Sequence, residues 1–94
     1  MENTEVSIHE VRVFCALRAA APQWLTSADV AHAAQVAPRT ARHHLLRFAK
    51  LQIVDVMELF PRHRYQLAKM AGKRNSGYMR RLLAAVEVIQ PSSR

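Results

Sequence analysis

The chain has 94 residues, half of them apolar, and this length supports one domain with a modest core. Its single cysteine excludes an intramolecular disulfide and a cysteine-based zinc cluster. The formal net charge of +7 is unevenly distributed: residues 1–37 carry two arginines against four acidic residues, whereas residues 38–94 carry twelve basic residues against three acidic ones. This asymmetry suits a polyanionic partner on one face, or a surface tuned for solubility.

Targeting and catalytic signals are missing from the sequence. No apolar run approaches the ~20 residues of a membrane span, and the acidic start, Met-Glu-Asn-Thr-Glu, does not resemble a signal peptide. The two glycines do not form a phosphate-binding loop, and no nucleophile and base have catalytic spacing. We therefore expect a cytoplasmic protein that is not an enzyme and does not enter a membrane.

The first predicted helix spans residues 8–20. Ser7 and Glu10 have the spacing of a capping box at its start, and Pro22 follows its end. Apolar side chains cover most of its circumference, and its clearly polar residues are His9, Glu10 and Arg12. Such a helix is expected to lie between two layers, and in so short a chain the second layer can come from another subunit.

Two more helices follow, separated by a tight turn. Thr26 and Asp29 repeat the capping-box spacing before residues 27–34, and Pro38 occupies the usual first position of a third helix that ends near Lys50. At about 100° per residue, the inner side of the third helix holds Ala41, Leu45 and Phe48, with His44 and Leu51 at its margin. The outer side holds Arg39, Arg42, His43, Leu46, Arg47 and Lys50. This cationic side is suited to phosphates and guanine edges.

A hairpin and a last helix complete the pattern. Residues 53–59 and 64–67 predict two strands joined by Phe60-Pro61-Arg62-His63. Residues 68–77 predict a connector, and Ser76 is expected to cap a helix over residues 77–90 that ends before Pro91. The order predicts a mainly α fold with a β-hairpin wing, a winged helix-turn-helix, within a single domain over residues 1–94, whose core spans 7–67.

Two segments carry a family resemblance, Leu25-Thr26-Ser27-Ala28-Asp29-Val30-Ala31 and Val36-Ala37-Pro38-Arg39-Thr40-Ala41-Arg42-His43-His44-Leu45. They resemble winged helix-turn-helix DNA-binding transcription regulators, with the ArsR- and MarR-like groups nearest in pattern. Thr40 and the His44-Leu45 pair occupy the positions that those groups give to a threonine and a histidine–leucine pair. The resemblance covers about residues 8–67, includes the wing, and implies a DNA-binding regulator.

Three departures from these groups limit the resemblance. Gln52 replaces the glycine that usually follows the third helix, so we expect a different turn into the strand. Ala37 replaces a serine or threonine cap, at a cost of about 0.5–2 kcal/mol. No cysteine or histidine cluster matches the ArsR metal sites, and the adjacent His43 and His44 point about 100° apart. We therefore expect no metal and no cofactor.

Double-stranded DNA is the predicted partner, contacted by the third helix and the wing. The predicted DNA-binding residues are Arg39, Thr40, Arg42, His43, Arg47, Lys50, Arg62, His63 and Arg64. The first part of the helix should read base edges, whereas Arg47 and Lys50 should meet phosphates. Alternatively, the basic wing keeps a strand edge soluble. Other cations either extend the DNA surface or are simply solvated: Lys69, Lys73, Arg74, Arg80 and Arg81.

The apolar terminal helices predict a homodimer, because they would otherwise expose large patches. The residues expected at its interface are Ile8, Val11, Cys15, Tyr78, Leu82, Ala85, Val86 and Ile89. In the competing arrangement, the last helix folds back and covers the first helix within one chain.

The predicted function is a sequence-specific repressor that acts as a homodimer, with no identifiable small-molecule effector, and that is nucleoid-associated when bound to DNA. Two alternatives stay open. One is an architectural, recombination or plasmid or phage maintenance factor. The other is a winged helix that binds protein instead of DNA; Leu46, nearly alone among cations on the exposed face, argues against it because protein interfaces usually have an apolar or aromatic centre.

Overall fold

The computed structural model describes residues 6–89, which form five helices and a two-stranded sheet. The elements are α1 (Ile8–Ala20), α2 (Ser27–Ala34), α3 (Pro38–Lys50), β1 (Val54–Met57), β2 (Arg64–Leu67), α4 (Ala71–Arg74) and α5 (Ser76–Ile89). This order confirms the predicted winged helix. The predicted helix end at Gln90 and Pro91 lies outside the described residues. No helix within residues 6–89 is long and apolar enough to cross a membrane.

Both predicted capping boxes are present. The Ser7 hydroxyl accepts a hydrogen bond from the Glu10 backbone N–H at 3.1 Å, and the Glu10 carboxylate accepts one from the Ser7 N–H at 3.2 Å. Thr26 and Asp29 make the equivalent pair, both at 3.1 Å. These bonds satisfy N–H groups that a helix start otherwise leaves unpaired. Helix α3 begins without a side-chain cap because Ala37 carries no acceptor.

The turn after α3 corrects one expectation from the sequence. Gln52 has a φ of 65°, the left-handed conformation in which a glycine is usual. The Gln52 N–H bonds to Ala49 O at 3.0 Å, and the Ile53 N–H bonds to Phe48 O at 3.1 Å. These two bonds form a Schellman motif, so the expectation of a different turn was wrong: glutamine makes the glycine-type turn.

The wing is an antiparallel hairpin with four residue pairs, from Val54 opposite Leu67 to Met57 opposite Arg64. It is shorter than the predicted strands, because residues 53 and 58–59 lie in the flanking turns. Leu25, before α2, forms an additional bridge with Tyr65 through backbone bonds of 2.8 and 2.7 Å. This bridge anchors the wing to the helix-turn-helix.

Residues 68–77, the predicted connector, contain the short helix α4. The Asn75 side-chain amide donates to Leu51 O at 3.3 Å, and Arg74 pairs with Asp55 at 3.1 Å. Helix α5 begins at Ser76 and is preceded by Asn75, whose side-chain oxygen accepts from the Tyr78 N–H at 3.4 Å. These contacts hold the start of α5 against the end of α3.

The second layer over α1 comes from the same chain. Helix α1 contacts α2, α3, β2 and α5. The largest fully buried side chains come from α1, α2, α3 and α5 and from the turn before β1: Phe14, Phe48, Leu17, Leu45, Ile53, Leu82, Val11, Val13 and Val30. The structure therefore has the competing arrangement, in which the last helix covers the first within one chain.

This arrangement changes which of the predicted dimer residues face solvent. Four of them are buried in the chain's own core: Val11, Tyr78, Leu82 and Val86. Ile8 is 46% exposed, and three are half-buried: Cys15, Ala85 and Ile89. Cys15 lines a groove of about 520 Å³ between α1 and α2. A partner that docks on this conformation would meet Ile8 and the three half-buried residues, and not the four buried ones.

Candidate nucleic-acid interface

The solvent face of α3 is cationic. Burial divides the helix as its periodicity indicated, with an inner side of Ala41, His44, Leu45 and Phe48. The exposed side chains are Arg39, Arg42, His43, Leu46, Arg47 and Lys50, and Thr40 is half-buried between the two sides. Helix α3 thus presents five basic or imidazole side chains and no carboxylate to solvent.

The fold brings the wing next to the first turns of α3. A groove of about 410 Å³ lies between them, with Arg42 on the helix side and Arg62 and His63 on the wing side. Ser27 and Ala28, the first residues of α2, line the same groove. The N-terminus of a helix carries partial positive charge, which adds to that of the arginines. Arg64 is exposed at the first position of β2, beside this groove.

Most of these cations have no acidic partner. The ion pairs found within residues 6–89 are Arg47 with Glu10 at 3.4 Å and Arg74 with Asp55 at 3.1 Å. In this described part of the chain, the remaining arginines and lysines of α3 and the wing are therefore uncompensated. Such an uncompensated surface attracts a polyanion.

A buried carboxylate lies behind α3, and sequence reasoning assigned it only a capping role. Glu10 is 3% exposed, and it accepts a hydrogen bond from the Tyr78 hydroxyl. Burial, and then this hydrogen bond, raise the pKa of Tyr78. Arg47 reaches Glu10 from α3, while its side chain stays 51% exposed. The feature of the sequence that could have indicated this buried role is the presence of an acidic residue on a helix with apolar side chains around most of its circumference.

His44 is a packing residue of α3. Burial lowers its pKa, although the nearby Glu10 acts in the opposite direction. Its Nδ1 has no hydrogen-bond partner among the described residues, and its ring lies 6.5 Å from that of Phe48. Within residues 6–89, no three potential metal ligands lie together. His44 therefore belongs to the core beneath the cationic face.

Comparison with known proteins identifies the fold. No protein-family model and no curated protein sequence matches the chain. Among solved structures, BpsR of Bordetella bronchiseptica is similar with a TM-score of 0.64 and 14% identity, covering 93% of this chain and 69% of that one.

Two further solved structures are similar to this chain. MepR of Staphylococcus aureus has a TM-score of 0.59 and 15% identity, covering 96% of this chain and 67% of that one. ZitR of Lactococcus lactis, a zinc-responsive MarR family member, has a TM-score of 0.56 and 13% identity, covering 94% and 63%. The chain spans about two thirds of the length of these proteins. It has the winged helix-turn-helix fold of the MarR-like transcription regulators.

Proposed function

We propose that this protein is a transcription regulator that binds double-stranded DNA with α3 in the major groove and the wing over the adjacent minor groove. The groove between α3 and the wing supports this function, since Arg42 faces Arg62 and His63 across a space where a phosphate backbone fits. Solved proteins with this fold include ZitR in complex with DNA. They also include BpsR, whose DNA binding is regulated by 6-hydroxynicotinic acid.

Position along α3 decides the role of each cation. Arg39, Arg42 and His43 lie in its first two turns, the part of a recognition helix that meets base edges. Lys50 ends the helix and meets phosphates. Arg47 also contacts a phosphate, through the half of its side chain that is exposed, while Glu10 fixes its orientation.

The proposed active form is a homodimer in the cytoplasm that represses transcription by occupying its operator. Apolar side chains remain exposed on the terminal helices, with Ile8 at 46%, Leu83 at 42% and Val88 at 80%. Self-association removes this surface from water. A two-fold dimer also sets two α3 helices about 34 Å apart, or a multiple of that distance, to match a palindromic operator.

Selection of bound sequences from random duplex DNA tests both the sequence-specific DNA binding and the homodimer. A palindromic motif is the expected result. Affinity for the selected duplex should fall by about 10³–10⁵ between 50 and 200 mM salt if ~6–10 phosphates are contacted by the dimer. Binding that does not change across this range would instead favour the alternative of a protein-binding winged helix.

Arg42→Ala separates base reading from positioning. The substitution should weaken binding to the selected duplex by about 1–3 kcal/mol and relax preference at one or two positions. Arg18→Ala, which removes an exposed arginine from α1, is the matched control and should bind as the parent does. An equal loss on selected and random duplexes would show that Arg42 contacts only the backbone.

Sedimentation equilibrium tests the dimer. The parent should be dimeric at micromolar concentration, and Val88→Asp should dissociate it, because a carboxylate would then be buried at the interface. Arg80→Ala, also exposed on α5, is the control that should stay dimeric. A parent that sediments as a monomer would contradict the dimer and leave DNA binding untouched.

A further inference from the structure

The tip of the wing carries an apolar group that the contacts proposed above do not use. Phe60 is 98% exposed, and its neighbours Leu59 and Pro61 are exposed as well. Among the large hydrophobic side chains of residues 6–89, Phe60 is the most exposed, followed by Val88 at 80%. A ring in this position adds almost nothing to the packing of its own chain, so nearly all of its surface is available to a partner.

The position of the tip relative to α3 indicates where such a partner would lie. Strand pairing ends at Met57 opposite Arg64, so residues 58–63 can extend up to about 10 Å beyond the sheet. Arg62 faces the groove toward Arg42, and Phe60 precedes it by two positions. A phosphate backbone placed in that groove would leave the tip on its far side, toward the neighbouring DNA groove.

Charge indicates what kind of partner fits this tip. Three basic or imidazole side chains follow Phe60, namely Arg62, His63 and Arg64, while Glu58 is the one acidic residue of the turn. A second copy of the chain that docked tip to tip would bring the same cations together and be repelled. An aromatic ring beside cations instead fits the stacked bases between two phosphate strands.

We propose that Phe60 is an apolar wedge that enters the minor groove next to the wing and partly unstacks one base step, so that the DNA bends on binding. This rests on the proposed function, because it requires α3 in the adjacent major groove. Minor-groove proteins insert Phe, Leu or Pro in this way and bend the duplex by about 20–90°. The wing thereby favours steps that unstack easily, such as TA and CA, at positions that α3 does not touch.

The test uses the whole 94-residue chain and the selected duplex, with 2-aminopurine placed in turn at the steps beside the α3 site. The parent should increase the fluorescence at one step and bend the duplex, as measured by energy transfer between its ends. Phe60→Ala should lose both signals and bind roughly 5- to 150-fold more weakly. Its salt dependence should not change, because no phosphate contact is removed.

Two further variants sharpen the comparison. Phe60→Leu keeps an apolar wedge and should retain most of the bend. Met70→Ala removes an apolar side chain that is 46% exposed at the opposite end of the hairpin, and it should match the parent. Thermal unfolding of Phe60→Ala should also match the parent, since the ring lies outside the core.

The possible outcomes separate the wedge from the function on which it rests. Salt-dependent binding without a bend, unaffected by Phe60→Ala, would overturn the wedge and leave the DNA-binding function standing. A parent without salt-dependent binding would overturn both. Loss of self-association in Phe60→Ala with an unchanged bend would also overturn the wedge and assign Phe60 to a protein contact.

Discussion

The substitution Tyr78→Phe removes one hydroxyl from the place where α1, α3 and α5 meet. Tyr78 is 5% exposed, and its hydroxyl donates to Glu10, which is 3% exposed. In the variant, Glu10 keeps the Ser7 N–H at 3.2 Å and Arg47 at 3.4 Å. It loses one hydrogen bond at a buried position that bulk water does not reach.

The expected loss follows from the charge of the acceptor. Hydrogen bonds to charged groups contribute about 1.5–3 kcal/mol, and a buried carboxylate that loses one is left partly unsatisfied. We therefore expect the free energy of unfolding to fall by about 2 kcal/mol. For a domain of this size, such a loss lowers Tm by roughly 8–16 °C. Urea denaturation followed by circular dichroism measures the change, with an unchanged m value as the sign that the unfolded state is unaffected.

Two variants control for this interpretation. Tyr65→Phe also removes a hydroxyl from a buried tyrosine, but that hydroxyl makes no hydrogen bond within residues 6–89, so the loss should stay below about 0.5 kcal/mol. Glu10→Gln keeps one acceptor oxygen for the Ser7 N–H, but it places an NH2 group where the second carboxylate oxygen accepts from Tyr78 and pairs with Arg47. Its cost should therefore be comparable to that of Tyr78→Phe, about 2 kcal/mol, with little added by the ion pair because Arg47 is half exposed. If Tyr78→Phe were as stable as the parent, or Tyr65→Phe equally destabilised, the reasoning would be refuted.

Two other predictions concern stability. Gln52→Gly should stabilise the protein by up to about 1 kcal/mol in urea denaturation, because relief of the left-handed strain at φ 65° outweighs the greater entropy of the unfolded chain; a lower midpoint would contradict this. His44 has a pKa lowered from 6.5, mainly by burial. Below pH 6.5 the unfolded chain therefore binds more protons, and stability is lost as the pH falls through the folded pKa. His44→Phe should flatten that dependence between pH 8 and 5, and an unchanged slope would count against it.

Local features of this fold could be predicted from the sequence. A capping box depends on residues three positions apart, and both the Ser7–Glu10 and the Thr26–Asp29 pairs form as their spacing indicates. The two faces of α3 follow from helical periodicity alone. In each of these cases, the determining contact lies within one or two helical turns.

The misjudged turn at Gln52 has a different physical reason. A glycine is favoured there because a side chain in the left-handed region costs about 1–2 kcal/mol. Two backbone hydrogen bonds to the end of α3 and the burial of Ile53 hold the chain in that conformation despite the cost. Residue preference at one position therefore did not decide the turn, since neighbouring backbone groups and the core contributed more.

Long-range packing could not be predicted. The order of elements did not show whether α5 covers α1 of its own chain or of a partner, because an apolar face is satisfied equally by either. The hydrogen bond between Tyr78 and Glu10 joins residues 68 positions apart. The groove between Arg42 and the wing likewise arises only when the hairpin folds back along α3. The sequence was sufficient to predict which residues are candidates for DNA contact. Only the tertiary structure brings the candidates on α3 next to those on the wing.

Glu10 connects the proposed DNA binding of this chain with its proposed dimerisation. It contacts α3 through Arg47 and α5 through Tyr78, so one buried carboxylate is shared by the helix proposed to contact DNA and the helix that exposes Leu83 and Val88. A shift of α5 relative to α1 would either break a charge-assisted hydrogen bond or carry α3 with it. In a dimer formed through α5, the spacing of the two α3 helices would therefore depend on the contacts of Glu10. Loss of Arg47 would then affect both phosphate binding and the orientation of α3, whereas loss of Lys50 would affect phosphate binding alone.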